Sequence, residues 1–165
     1  MIEVEVVGVR IELPSNQPLV LLRETGGERH LPIWIGAPEA SAIAFVQQGI
    51  VPPRPMTHDL LVSVVAAAGK EITEVRITSV ADTVYHAQLV FSDGVTVSSR
   101  ASDALAVALR VPCPIYCADD VLAVAGVEIA DADEAEDGDS EETAEKEVLQ
   151  FREFLADIEP EDFER

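Results

Sequence analysis

Cysteine is nearly absent from this chain, with Cys113 and Cys117 the only two. They lie in Cys113-Pro114-Ile115-Tyr116-Cys117, an extended stretch that would hold them ~13 Å apart along a strand. A disulfide closes only when the Cα atoms come within ~7 Å. His30, His58 and His86 are widely scattered and do not complete a zinc-ligand spacing. Both cysteines are therefore expected as free thiols in a reducing compartment. Apolar runs also fall short of the ~18–20 residues that span a bilayer. The opening Met1-Ile2-Glu3-Val4-Glu5 lacks the basic-then-apolar order of a signal peptide. The expectation is a soluble, cytoplasmic protein with no membrane partner. No Lys/Arg cluster exists to track a phosphate backbone, which argues against tight binding of duplex nucleic acid. A Gly-rich phosphate loop, a Ser/His/Asp order and a familiar paired-carboxylate nuclease motif are missing too.

What the chain does have is apolar residues and acid. Of 165 residues, 48% are hydrophobic, enough for a packed core and too many for a wholly disordered chain. The net charge of −20 is unevenly spread. Residues 1–130 carry 8 Lys/Arg against 15 Asp/Glu, a net of −7, and residues 131–165 carry 3 against 16, a net of −13. The body is thus moderately acidic, and the last fifth of the chain dominates the charge.

Patterning divides the body into alternating strands and helices. Ile2, Val4 and Val6 share one side, then Val7, Val9, Ile11 and Leu13 take over. That one-residue slip predicts a β-bulge near Val6-Val7-Gly8. Strands are expected at Leu19–Arg23 and His30–Ile35, completing a three-stranded meander. Trp34 reads as a core or interface anchor. A helix over Glu39–Gln48 should stop at Gly49. After the stiff Val51-Pro52-Pro53-Arg54-Pro55 connector, Thr57 is the expected N-cap of a second helix with a Leu60, Leu61, Val64, Val65, Ala68 stripe. Strands around Val75–Ile77, Tyr85–Phe91 and Val95–Ser98 follow, the last two joined at Asp93-Gly94. A third helix should begin with Ser102 or Asp103 as N-cap, followed by a short strand at Ile115-Tyr116 and a short helix over Val121–Ala125. The fold class is α+β, a mixed, largely antiparallel sheet with three to four packed helices in residues 1–130. Residues 131–147 read as an acidic linker. Residues 148–165 read as a helical tail carrying the stripe Val148, Phe151, Leu155, Ile158.

Three separated segments carry a resemblance. They are Leu31-Pro32-Ile33-Trp34-Ile35-Gly36 with Glu39-Ala40, then Arg54-Pro55-Met56-Thr57-His58-Asp59-Leu60-Leu61, then Arg100-Ala101-Ser102-Asp103-Ala104-Leu105 through Arg110. In order and spacing they resemble the bifunctional nuclease family, over approximately residues 1–128. The resemblance implies an α+β fold, self-association and activity on both DNA and RNA. The family usually has Pro where this chain has Ala101, a difference that slightly weakens helix pre-organisation and removes no chemical group.

The motif residues supply the groups that phosphodiester hydrolysis needs. Metal-dependent nucleases generally hold Mg²⁺ or Mn²⁺ on carboxylates. Asp59 and Asp103 are the candidate metal ligands here, with Glu39 a weaker third. His58 is a candidate acid or base, and Arg100 a bidentate partner for the scissile phosphate. His58, Asp59, Arg100 and Asp103 form the candidate catalytic set, and Arg54 and Ser102 the candidate substrate contacts. The same residues have a plainer reading: Asp59 and Asp103 suit helix first turns, and Arg100 could simply pair with one of them. Two functions follow. One is a divalent-metal-assisted nuclease of single-stranded DNA or RNA, single strands being preferred because the body is acidic. The other is a non-catalytic homo-oligomeric binding or regulatory module.

Overall fold

The computed structural model describes residues 1–13 and 15–128, which fall within one unit, Met1–Ile129. The acidic linker and helical tail expected beyond residue 130 lie outside the described residues. In chain order the elements are β1 (Ile2–Glu12), β2 (Gln17–Glu24), β3 (Arg29–Trp34), α1 (Ala37–Gln47) and α2 (Thr57–Ala67). Then come β4 (Ile72–Ala81), β5 (Val84–Phe91), β6 (Thr96–Arg100), α3 (Ala101–Ala108), β7 (Ile115–Cys117), α4 (Asp119–Ala125) and β8 (Val127–Glu128).

The eight strands form one sheet in the order β6-β5-β4-β7-β1-β2-β3-β8. Every pairing is antiparallel except that of β4 with β7. The fold is therefore α+β with a mixed, mostly antiparallel sheet. The β1–β2 register shifts between Val6 and Gly8, where the alternation slips. Gln47, at the end of α1, donates to the carbonyls of Val6 and Val7 at 3.5 and 3.4 Å and so serves the bulged backbone. Tyr85 of β5 donates to the Pro32 carbonyl of β3 at 3.3 Å, although four strands separate them in the sheet order, so the sheet curls.

Inward-facing strand residues Val4, Val20, Leu22, Leu31, Ile33, Val75 and Ile77 form the core with Ile43 of α1 and Leu105 and Val107 of α3. Small residues bring these two helices close: Ala40 and Ala42 of α1 and Ala104 and Ala106 of α3 are fully buried. Cys117 is buried in β7 and both cysteines are free thiols. Burial pushes the Cys117 thiol up to about 12, so it is an inert core residue.

Three expectations change. The N-cap of α2 is Met56 rather than Thr57, and that of α3 is Arg100 rather than Ser102 or Asp103. An Asp at the third helical position mimics a cap in sequence, but here it reaches back toward the cap residue. The α2 stripe is not a core face, because α2 contains no buried residue, and Leu60, Leu61 and Val64 are exposed. Of the two places expected for Trp34, its exposure excludes the core and is compatible with an interface, and its indole N–H donates to Glu12 at 3.1 Å.

Candidate active site

The site arises where α2 and α3 begin. The proline connector delivers the chain to α2, and β6 delivers it to α3 at Arg100, which pairs in register with His86 on β5. Small buried residues hold α3 against α1, so its first turn is fixed from below. His58 Nε2 lies 3.2 Å from Asp103 Oδ1, a contact between residues 45 apart in the chain. Arg100 donates to the same carboxylate through Nε (2.7 Å) and Nη2 (3.0 Å). Its Nη2 also donates to Glu39 Oε1 at 2.7 Å. The result is a continuous row, His58–Asp103–Arg100–Glu39, drawn from α2, α3 and α1.

Burial grades along that row. The side chains of His58 and Glu39 are 12% and 13% exposed, Asp103 31% and Arg100 67%. Burial pushes the Asp103 carboxyl up, but the hydrogen bonds from Arg100 and His58 prevail and hold it below the usual carboxylate range. Those same bonds to Asp103 and Glu39 raise Arg100, so its charge is permanent. Nη1 of Arg100 has no partner among the described residues, which leaves a cationic donor facing outward. A carboxylate acceptor at Nε2 favours the imidazole tautomer protonated there. Nδ1 of His58 then carries the lone pair, and it too lacks a partner among the described residues.

Asp59 belongs elsewhere. Its Oδ1 accepts from Arg110 Nε at 2.5 Å, and its Oδ2 accepts from the Met56 backbone N–H at 2.8 Å. Burial raises its carboxyl, but the Met56 and Arg110 bonds lower it further and win. Arg110 also donates to the Ala106 and Ala42 carbonyls at 2.7 and 3.1 Å, tying α2 to α3 and α1 with a guanidinium only 7% exposed. Sequence reasoning passed over Arg110, the last residue of the third motif, because a cation closing a helix looks unremarkable. Ser102 is 9% exposed and its hydroxyl has no hydrogen-bond partner among the described residues, whereas Arg54 is exposed and its side chain likewise unpaired there.

The donor set does not suit a resident divalent cation. Both oxygens of Asp59 and both of Asp103 are already bonded to guanidinium, imidazole or amide groups, and Glu39 Oε1 holds Arg100. A cation at either aspartate would have to displace an arginine. Among the described residues, no three His, Cys, Asp or Glu side chains gather in a metal-binding arrangement. What the row can do chemically is neutralise an anion at Arg100 and exchange a proton at His58.

A model of the bifunctional nuclease domain matches residues 20–130. Two proteins from two strains of Mycobacterium tuberculosis, both described as uncharacterized, are each 50% identical over 161 residues, covering 98% of this chain and 97% of theirs. The matched span starts after β1, yet β1 lies inside the sheet between β7 and β2, so the structural unit begins earlier than the match. No described helix is long and apolar enough to cross a membrane. With its three motifs gathered around one row of charged side chains, the chain belongs to the bifunctional nuclease domain family.

Proposed function

We propose that this protein hydrolyses phosphodiester bonds of single-stranded DNA and RNA at the His58–Asp103–Arg100–Glu39 row. The observation that carries the reading is the single carboxylate of Asp103, which orients His58 on one side and Arg100 on the other. Activity on DNA requires water as the nucleophile, because DNA has no 2′-hydroxyl to attack. Nδ1 of His58 takes a proton from that water as its oxygen bonds to phosphorus and the bond to the sugar oxygen breaks, the leaving oxygen taking its proton from solvent water. Asp103 holds the imidazole and stabilises its protonated form, in the manner of a carboxylate–histidine pair. Arg100, anchored through Nε and Nη2, offers Nη1 to the phosphate where charge accumulates. With its carboxylates already bonded, the row acts through the chain's own groups.

The test is turnover of labelled single-stranded RNA and DNA by rigorously purified protein, with and without EDTA, compared with His58→Ala and Arg100→Ala. Loss of cleavage in both variants, with folding retained, supports the assignment. Undiminished cleavage in both would reject it. A reading as a homo-oligomeric module draws on a separate observation, the apolar α2 face, where Leu60 is 57% and Val64 56% exposed. Such a face suits self-association, and a Leu60→Glu variant that sediments as a smaller species than the parent would support it.

A further inference from the structure

Between the end of α1 and the start of α2 lies a groove of about 410 Å³ that none of the chemistry above uses. It is lined by the end of α1 (Phe45, Val46), the turn after it (Ile50, Val51), the connector prolines, and Asp59 and Arg110. Gly49 makes the turn possible with φ at +66°, a conformation that side chains rarely tolerate. The volume falls within the ~300–1,000 Å³ range of small-molecule sites. Phe45 is the one aromatic residue in the lining and is only half-buried.

The groove differs in charge from the rest of the body. Its lining holds Arg54, Arg110 and Asp59, a local balance of +1, in a body of net −7. Arg110 is spent on Asp59 and two carbonyls. Arg54 is not: it is exposed at the lip with no ion-pair or hydrogen-bond partner among the described residues. An apolar, partly aromatic slot with a free guanidinium at its rim suits a ligand with a flat apolar body and an anionic end. Asp59, which lines the groove, immediately follows His58 in the chain, so one turn of α2 contributes to both the groove and the charged row.

We propose that this groove holds one nucleotide unit, its base against Phe45 and the proline wall and its phosphate on Arg54. Under the nuclease reading, on which its role in catalysis rests, it is a subsite that seats one nucleotide of the bound strand. Base–aromatic stacking and charge-assisted phosphate contacts supply the affinity, and neither contact engages the sugar 2′ position, in keeping with substrates of both sugars.

The test is titration of the full chain with 5′-AMP, adenosine and inorganic phosphate, followed by amide chemical-shift mapping. The expected result is that 5′-AMP binds more tightly than either fragment and shifts the amides of Phe45, Ile50, Val51 and Arg54. Affinity should fall roughly tenfold in Arg54→Ala and in Phe45→Leu, which keeps an apolar residue in place, as expected for losing one stacking or phosphate contact. Unchanged affinity in both variants, or shifts confined to residues around Arg100, would overturn the assignment. Hydrolysis of single-stranded RNA measured on the same preparations separates the two claims. Binding in the groove without hydrolysis leaves this site standing and removes the nuclease reading. Hydrolysis with undiminished 5′-AMP affinity in both variants does the reverse.

Discussion

Helices α2 and α3 both contribute to the charged row, but they are held in place by different physics. Seven of the eight residues of α3 are buried, and its Leu105 and Val107 have no exposure at all. Helix α2 has no buried residue, with only Met56, Val62 and Val65 leaning on the core. Its first turn is instead tied down by Asp59 to Arg110 and by His58 to Asp103. Hydrophobic burial involves no titratable group, whereas charge-assisted bonds depend on protonation and are screened by salt. The helix that carries the histidine is therefore the one whose position depends on protonation. The helix that carries Asp103 is fixed by packing.

The comparison can be broken first at α3. Leu105→Ala should destabilise the fold by about 2–5 kcal/mol in chemical denaturation, since it empties a fully enclosed site. Next comes the tether of α2. Arg110→Ala leaves Asp59 without its cation and two carbonyls without their donor, and should cost about 2 kcal/mol, less than for a fully enclosed pair because Asp59 is 32% exposed. Arg110→Lys should recover only part of this, because an ammonium cannot make the three-way fork.

Acid should sharpen the same contrast. The Asp59 and Asp103 carboxyls both sit below their ordinary value of 3.8, hydrogen bonds having overcome the upward push of burial. Their stabilisation is complete above that value and is lost as pH falls through the lower folded-state values. The protection of α2 amides, relative to their intrinsic exchange rates, should therefore fall below about pH 4 before that of α3 amides does. Equal loss of protection in the two helices would contradict the contrast. The smallest effect belongs to the outer face of α2. Leu60→Ala should change the stability of the isolated protomer by less than about 0.5 kcal/mol, as expected for an exposed site.

The same contrast shows what could be read before the structure was seen. The β1 bulge was legible because a period-2 pattern records a one-residue slip directly. The β5–β6 hairpin was legible from Asp93-Gly94, and Gly94 does take a positive φ of 82°. The central position of β7 was not, because three residues carry too little pattern to show which neighbours they pair with. Nor was the exposure of α2, since periodicity says which residues share a face and not what covers it.

For the site, the motifs pointed to His58, Arg100 and Asp103, and these three meet. Asp59 was grouped with them and turns away instead. Adjacent helical residues project ~100° apart, so His58 and Asp59 cannot address the same partner. Arg110 went unnoticed because its partners, Asp59 and the carbonyls of Ala42 and Ala106, come together only when the three helices pack.

The central claim is that Asp103 orients His58 for proton transfer while anchoring Arg100 for the phosphate. It is tested most directly by single-turnover cleavage of labelled single-stranded RNA and DNA by purified wild-type, His58→Gln and Asp103→Asn proteins in EDTA. The account predicts cleavage of both strands by the wild type, reduced by about 10²–10⁴-fold in His58→Gln, the usual contribution of a positioned acid or base, and strongly reduced in Asp103→Asn with the fold intact. Cleavage at equal rates by all three proteins, or by none, would contradict it.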